Sequence, residues 1–373
     1  MTDPMLTFRF VIIGAGFAGA ATAYHLALRG AKDILIIEQE RVAGVHSSGR
    51  NASMVRQVVS EKTLTALARE GAAFLRNPPE RWPVPVAYEQ KGSLLLGGGG
   101  AWDKLAREAT QGREVGVDVE LWSRNQAVEK VPALKSAAFD GAVWCPTDGV
   151  VDIHALLSGY LKAAASMGVK IRYGAAVRAI ATEGQAKKIV TDGEPIACEV
   201  VINAAGPWAA AIGGLAGAVQ VPLRPCRRHL FLTAPLPWVD PEWPFVWDVA
   251  HDLYFRPDSG GLLLCPCDEV EMAPCDAPVD GTVVELLAEK VKRYLPEAAD
   301  VPIRKSWAGL RTLSRDGRFV IGWDPKIEGF FWVAGLGGHG VTTSYAVGSL
   351  AAEIILGDRP EHADKLSPGR FAG

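Results

Sequence analysis

Cysteine is scarce in this chain, with six in 373 residues. A disulfide-stapled scaffold is therefore not expected, and the thiols read as reduced. Cys265, Cys267 and Cys275 cluster, with Cys226 and His251 in the same region, but this spacing is not a common zinc pattern, so no metal is expected. Neither charge sign dominates: 39 Lys and Arg oppose 42 Asp and Glu, a net of −3. Nothing electrostatic points to nucleic acid or an anionic membrane as partner, and no basic stretch suggests an RNA-modifying role. Long uninterrupted apolar runs are missing too. The apolar stretch near the N-terminus follows Asp3 and Arg9 and is broken by glycines, which fits neither a signal peptide nor a membrane span. A cytoplasmic protein without an integral membrane segment is the expectation. No internal repeat is seen. The length suggests about two domains.

Residues 10 to 38 carry the strongest signal. Phe10-Val11-Ile12-Ile13 reads as a buried parallel strand. Gly14, Gly16 and Gly19 follow in G-x-G-x-x-G spacing: the first permits a tight turn, the second lets backbone approach a pyrophosphate, the third allows close helix packing. Ala18 to Leu28 reads as the crossover helix, its N-terminus facing phosphates with unpaired N–H groups. Ile34-Leu35-Ile36-Ile37 is a second strand, ending in Glu38, where a carboxylate can accept both hydrogen bonds of an adenosine ribose. Strand, glycines, helix, strand and acid in register mark a dinucleotide-binding unit.

Two further stretches share this character. In the first, Val151-Asp152-Ile153-His154 opens a helix through Gly168. Strands follow at Val169-Lys170-Ile171, Ala176 to Ile180 and Val200 to Asn203, the last running into Ala204-Ala205-Gly206-Pro207-Trp208. The second begins at Phe319 to Trp323 and continues through the strand Phe330 to Ala334, a glycine-rich turn, and a helix from about Thr342 to Leu356. The intervening segments hold most of the prolines and tryptophans and alternate like half-exposed antiparallel strands, as in Leu253-Tyr254-Phe255-Arg256 and Leu262-Leu263-Leu264. The nucleotide domain is thus expected to be discontinuous (1–79, 146–219 and 313–373), with a second domain inserted as 80–145 and 220–312. Gly97 to Gly100 reads as a flexible loop, since no Lys-Ser/Thr follows to make a phosphate loop.

Glu38 alone does not separate FAD from NAD. The distal turn Gly335-Leu336-Gly337-Gly338-His339-Gly340, leading into a helix at Val341-Thr342-Thr343-Ser344, favours a flavin, because a helix N-terminus there stabilises negative charge on a reduced ring. Together with His46 to Ser53, Asn203 to Gly206, Arg227-Arg228, Tyr254 to Asp258, Trp307 to Arg311 and Gly329 to Gly335, these motifs resemble the D-amino acid oxidase and glycine oxidase superfamily of FAD-dependent oxidoreductases. The FAD-dependent D-arginine dehydrogenases are the branch expected to lie nearest. The resemblance implies an α/β fold: a Rossmann-like, glutathione-reductase-type FAD-binding domain with an inserted α+β antiparallel-sheet substrate domain.

It also implies non-covalent FAD. Gly14, Ala15, Gly16, Phe17, Ala18 and Gly19 would meet the pyrophosphate, and Glu38 with Gln39 the ribose. Ser47, Ser48, Arg50, Asn51, Ala52 and Ser53 would run along the ribityl chain and flavin. Val177 would bond adenine, and Ala205, Gly206 and Trp208 would line the nucleotide. Gly309, Gly335, Gly337, Gly338, His339, Gly340, Val341 and Thr342 would lie at the flavin. No cysteine stands where the monomeric sarcosine oxidases attach theirs; Arg311-Thr312-Leu313 does.

In such enzymes the cofactor carries the hard step and the protein orients the substrate. A guanidinium fork suits a substrate carboxylate in charge and shape. Arg311 matches the family's carboxylate anchor, Tyr254 its assisting tyrosine, and Arg228 a second arginine facing substrate. Each has a plainer alternative: a surface ion pair for Arg311, strand packing for Tyr254, a solvated basic pair for Arg227-Arg228. The expected reaction is oxidative deamination of a D-amino acid through an imine to a 2-oxo acid and ammonia. A secondary amine, a 2-hydroxy acid, or a binding-only subunit of a larger dehydrogenase are the alternatives. The chain departs from the D-arginine enzymes at the guanidinium-pairing position, where Lys91 or Gly92 stands, with Glu89 nearby. It departs again at Met54, Arg56 and Val59, and at Phe245 and Trp247. Arg56, Lys91, Phe245, Trp247, Gly338 and His339 are the expected substrate pocket, with Arg56 suggesting an acidic substrate and Phe245 with Trp247 an aromatic one. The electron acceptor is open between oxygen, a quinone and another carrier.

Overall fold

The computed structural model describes residues 6–183 and 186–372. The strand Leu6–Ile13 lies between Ile196–Asn203 and Ile34–Ile37, parallel to both, and Lys170–Arg172 extends the parallel order beyond Ile34–Ile37. The last residues of Ile196–Asn203 also pair in parallel with Phe330–Ala334, while its first residues continue into the antiparallel hairpin Val177–Glu183 and Ala186–Thr191. Successive side chains of a strand point to opposite faces, and both faces are covered here. Phe10, Ile12, Ile34 and Ile36 pack into the core under the helices, and Val11, Ile13, Leu35 and Ile37 into the core behind. That double burial is why the strands are wholly apolar.

The helix Phe17–Leu28 packs against Ile153–Ser166 and Ser344–Leu356. Its alanine-rich face permits close approach: a Cβ added at Gly348 would lie 2.6 Å from the backbone of Ala21. The helix Ser344–Leu356 starts at Ser344, not at Thr342, and Val341 to Thr343 form a turn ahead of it.

Nine strands form the second sheet, drawn from residues 93–145 and 223–314. Its backbone is the long antiparallel pair Leu223–Thr233 and Ile303–Ser314. Phe245–Asp248 runs parallel to Ser93–Gly97 and stitches the two sequence segments together. Gly97 to Gly100 is not a flexible loop. Gly97 ends a strand, Gly100 opens the helix Gly100–Glu114, and Gly99 turns at φ +54° with its N–H on Asp140 at 2.6 Å. A small third sheet (Met54–Val55, Tyr88–Glu89 and Gly149–Val151) holds Arg56 and Asp148 at its margin. Among the described residues no helix is long and apolar enough to cross a membrane.

Candidate active site

The glycine turn sits above the parallel strands. Gly14 adopts φ +105°, and a Cβ there would meet the Ala204 carbonyl oxygen at 2.5 Å. At Gly19 a Cβ would fall 1.9 Å from the Gly14 carbonyl oxygen, so this glycine serves helix-to-turn packing and does not line the cleft. The Phe17 N–H donates to Ser48 Oγ at 3.1 Å, and a Cβ at Gly16 would meet that same oxygen at 2.9 Å. Glu38 folds back over the turn, accepting from the Ala15 N–H at 2.8 Å and the Glu40 N–H at 3.0 Å. Ala15 therefore acts here through Glu38 and is not part of the cleft wall.

Two cavities of about 300 and 280 Å³ open on either side of this turn. They share Gly16, Ser47, Ser48, Ala204 and Gly206, so they form one continuous cleft. The second is walled by Gly14, Glu38, Gln39, Val177, Ala205 and Trp208, as expected for an adenosine end. His46, whose Nε2 donates to Glu40 Oε1 at 2.8 Å, joins them. The first holds Phe17, Ala18, Arg50, Asn51 and Ala52 on one side. Gly309 and the turn from Gly335 through Gly337, Gly338, His339, Gly340 and Val341 to Thr342 form the other. Ser53 lies outside the wall, its N–H on Asn51 Oδ1 at 2.8 Å and its φ at +59°. Gly71 was invisible as a site residue, yet a Cβ there would sit 1.8 Å from the Thr342 carbonyl oxygen. The helix Lys62–Arg76 thus buttresses the turn directly.

Sheet register explains the far wall. Arg228 pairs across from Gly309, and Cys226 across from Arg311. Alternation then puts Arg228, Leu230, Gly309 and Arg311 on one face, and all four line the first cavity. A cross-strand row runs Trp247, Tyr254, Cys265 on that same sheet. Trp247 reaches the cavity. Tyr254, fully buried, stands behind it and accepts a 3.2 Å hydrogen bond from Arg311 Nη2. The Arg311 guanidinium lies flat on Gly338, where a Cβ would approach its Cζ to 3.3 Å.

The charges are unequal in their partners. Arg228 pairs with Glu269 at 3.1 Å. Arg56 stacks on the Trp247 ring with its Cζ 4.2 Å from the centroid, and its Nε is buried without a partner. Burial pulls the Arg56 guanidinium down in pKa, while Asp148 and Glu108 oppose that. Burial, then the charges of Arg56 and Arg311, hold His339 down at about 3, so its ring is neutral at physiological pH. Burial pushes the Asp148 carboxyl up to about 6 against the hydrogen bonds of Ser93 and Gln57. Burial alone would raise the Cys265 thiol, but hydrogen bonding from Cys267 and the charges of Arg228 and Arg311 hold it down at about 6. The Cys267 N–H also points at Cys265 Sγ, 3.4 Å away. No group of three or more His, Cys, Asp or Glu suited to a metal occurs among the described residues.

Two expected pocket residues are elsewhere. Lys91 pairs with Glu89 at 2.6 Å and Glu242 at 3.4 Å on the far rim, because it precedes the strand Ser93–Gly97 and does not enter it. Phe245 is 1% exposed in the core with Val58, Leu95 and Val143, the packing its alternation with Val246 dictates. Leu230, which the sequence did not mark, lines the cavity instead, as does Met54, one of the positions where the chain departs from the D-arginine enzymes.

A long cleft, a glycine cradle at its waist, and unsatisfied cationic nitrogens at one end suit an extended anionic dinucleotide with an anionic substrate beside it. Comparisons agree. The chain is 26% identical to 4-methylaminobutanoate oxidase (formaldehyde-forming) of Paenarthrobacter nicotinovorans, a match that covers the whole chain but only 46% of that longer protein. It is 27% identical to glycine oxidase of Geobacillus kaustophilus over 97% of both chains. The crystal structure of that glycine oxidase superposes with a TM-score of 0.82 over 95% of this chain and 96% of its own, at 26% identity. L-proline dehydrogenase from P. horikoshii has a TM-score of 0.90 over 99% of both chains at 23% identity, a likeness of fold. The model of the FAD dependent oxidoreductase family (DAO) matches residues 9–354. The chain belongs to that family, with FAD as its cofactor and the oxidation of amines or amino acids as the chemistry typical of its members.

Proposed function

We propose that this protein catalyses FAD-dependent oxidative deamination of an α-amino acid, with the D-enantiomer preferred. The observation that carries the reading is Arg311: a guanidinium in the cavity wall, flat on the Gly335–Gly340 turn and oriented by a buried tyrosine hydroxyl. Such a fork grips a carboxylate in two places and so fixes the α-carbon beside that turn. FAD held there would supply the two-electron oxidation, accepting the α-hydrogen as hydride, and the imino acid so formed would be hydrolysed by water to a 2-oxo acid and ammonia.

The remaining tasks fall to the chain. Gly14 and Gly16 admit the pyrophosphate, Glu38 and Gln39 hold the ribose, and Val177 and Trp208 enclose the adenine. No cysteine lines either cavity among the described residues, which supports non-covalent attachment. Tyr254 keeps Arg311 in place and is a positioning residue, since it lies behind the wall. His339, held at about 3, is too weak a base to deprotonate an ammonium group whose own pKa lies several units higher. The amine therefore enters as the free base, favoured by the positive wall of Arg56, Arg228 and Arg311.

A second reading keeps the site and changes the nitrogen. The similarity to a 4-methylaminobutanoate oxidase favours an N-alkylated substrate. Anaerobic mixing of the holoprotein with D-, L- and N-methyl amino acids separates the two. Bleaching of the flavin by D-amino acids supports deamination. Bleaching by N-methyl compounds alone transfers the assignment to secondary amines. No bleaching by any carboxylate-bearing amine defeats the reading.

A further inference from the structure

Arg56 is a cation in the cavity wall with nothing to neutralise it. It follows the short strand Met54–Val55, and its backbone N–H is held by Thr342 Oγ1 at 3.2 Å, so its position is fixed by the turn it faces. Among the described residues its guanidinium makes no hydrogen bond and no ion pair, and its Nε is buried and unsatisfied. The two carboxylates whose charge it feels are engaged elsewhere. Asp148 Oδ1 accepts from the Gln57 N–H at 3.1 Å and Gln57 Nε2 at 2.8 Å, and Oδ2 accepts from Ser93 Oγ at 2.7 Å. Glu108 faces Lys104 at 3.7 Å. Arg311 is close enough to repel it.

A buried charge without a partner is costly, and two guanidiniums facing one cavity raise that cost. An anion between them relieves both. Arg228 has the same orphaned Nε, but unlike Arg56 its Nη2 is already paired with a carboxylate, Glu269. The aromatic alternative loses Phe245, which is in the core, and Trp247, though it lines the cavity, has one face covered by Arg56. We infer that the substrate is an amino dicarboxylate, an acidic amino acid or an N-carboxyalkyl amino acid. Arg311 holds the carboxylate next to the reacting carbon and Arg56 the distal one. This rests on the reading that Arg311 anchors the first carboxylate.

The test uses the holoprotein and matched pairs. D-Glu is compared with D-Gln and D-norvaline, D-Asp with D-Asn, and N-carboxymethylglycine with N-methylglycine, by rates of anaerobic flavin bleaching. Glutarate and butyrate are titrated separately as unreactive ligands, read by perturbation of the flavin spectrum. The expected result is that one acidic member exceeds its neutral partner by about 100-fold in kcat/KM. That ratio collapses in Arg56→Gln and partly returns in Arg56→Lys. Glutarate should bind at least about tenfold more tightly than butyrate, and lose that margin in Arg56→Gln. Should Arg56→Gln fail to retain FAD, the wild-type ratios and Arg56→Lys still decide. Neutral amino acids that react as well as acidic ones, or a glutarate margin untouched in both variants, overturn the inference and leave the Arg311 reading standing. Silence from every substrate, with glutarate and butyrate indistinguishable, overturns both.

Discussion

His25 sets an acid limit on this molecule, and the limit is calculable. The residue lies on the crossover helix Phe17–Leu28 at 1% exposure, with Arg29 Nη1 3.1 Å from its Nδ1 and the Tyr345 ring 4.5 Å from its own. Arg29 only donates, so Nδ1 is the acceptor and the ring is neutral. Burial, then the Arg29 charge, pulls its pKa down to about 3. In the unfolded chain it titrates near 6.5. The folded value is the lower one, so the unfolded chain binds more protons between these values. The stability from keeping the ring neutral is whole above about 6.5 and drains as pH falls toward 3. At pH 5 the folded ring is still neutral, so the loss is set by protonation of the unfolded chain and comes to about 2 kcal/mol relative to pH 8. His25→Phe keeps an aromatic ring beside Tyr24 and Tyr345 and removes the titration. Equilibrium urea unfolding with excess FAD, at pH 8 and pH 5, gives the comparison. The gap between wild type and variant should shift by about 2 kcal/mol in the variant's favour at the lower pH. Groups common to both proteins cancel, including His339. A gap equal at both pH values would show that His25 is not held neutral by the helices around it.

Three further outcomes follow from the geometry. Gly19→Ala should destabilise the protein by about 3 kcal/mol, since its Cβ meets a backbone oxygen, whereas Gly16→Ala should spare the fold and raise the FAD dissociation constant about tenfold or more. Urea melts of the apoprotein and flavin fluorescence titrations measure the two. Arg311→Lys should lower kcat/KM about 100-fold by losing the planar fork, and Tyr254→Phe only about five- to tenfold, mainly through KM, as steady-state assays on the best substrate will show. Lys91→Ala should leave kcat/KM within about twofold, because its rim ion pairs are solvent-screened; a larger fall would put Lys91 back in the pocket.

What was legible in the chain tracks how local its cause is. Gly14, Gly16 and Glu38 act within one strand-turn-helix unit, and their spacing alone placed them at the waist and one end of the cleft. Arg228 and Arg311 were found through motifs, but that they share a face needed the pairing of Arg228 with Gly309, a fact of register. Register also decided the errors. Phe245 and Trp247 are two residues apart on one strand and face the same side, yet only Trp247 is far enough along to reach the cavity. Lys91 falls two residues short of its strand. Gly71 carried no signal because its constraint is a carbonyl 271 positions away. Gly97 to Gly100 looked loose because four glycines resemble a linker, while the Asp140 carboxylate that holds the Gly99 N–H lies 41 residues further on.

The substrate end of the site was the least legible part because its information is in what charges lack. Arg56, Arg228 and Arg311 are identical letters in the sequence. Only the structure shows that Glu269 pairs with one, a neutral phenol orients another, and the third rests on an indole face with no hydrogen bond or ion pair among the described residues. His339, neutral at about 3, adds no fourth charge, and Asp148 is turned toward Gln57 and Ser93. The wall therefore presents Arg56 without an anionic partner at low exposure to solvent, where Coulomb interactions are strong, while Arg311 shares with Arg228 the charge of the low-lying Cys265 thiol. A ligand with one carboxylate on Arg311 leaves Arg56 uncompensated. The difference in binding between a monoanionic and a dianionic substrate is then set chiefly by Arg56, which makes that residue the place where substrate choice in this chain is decided.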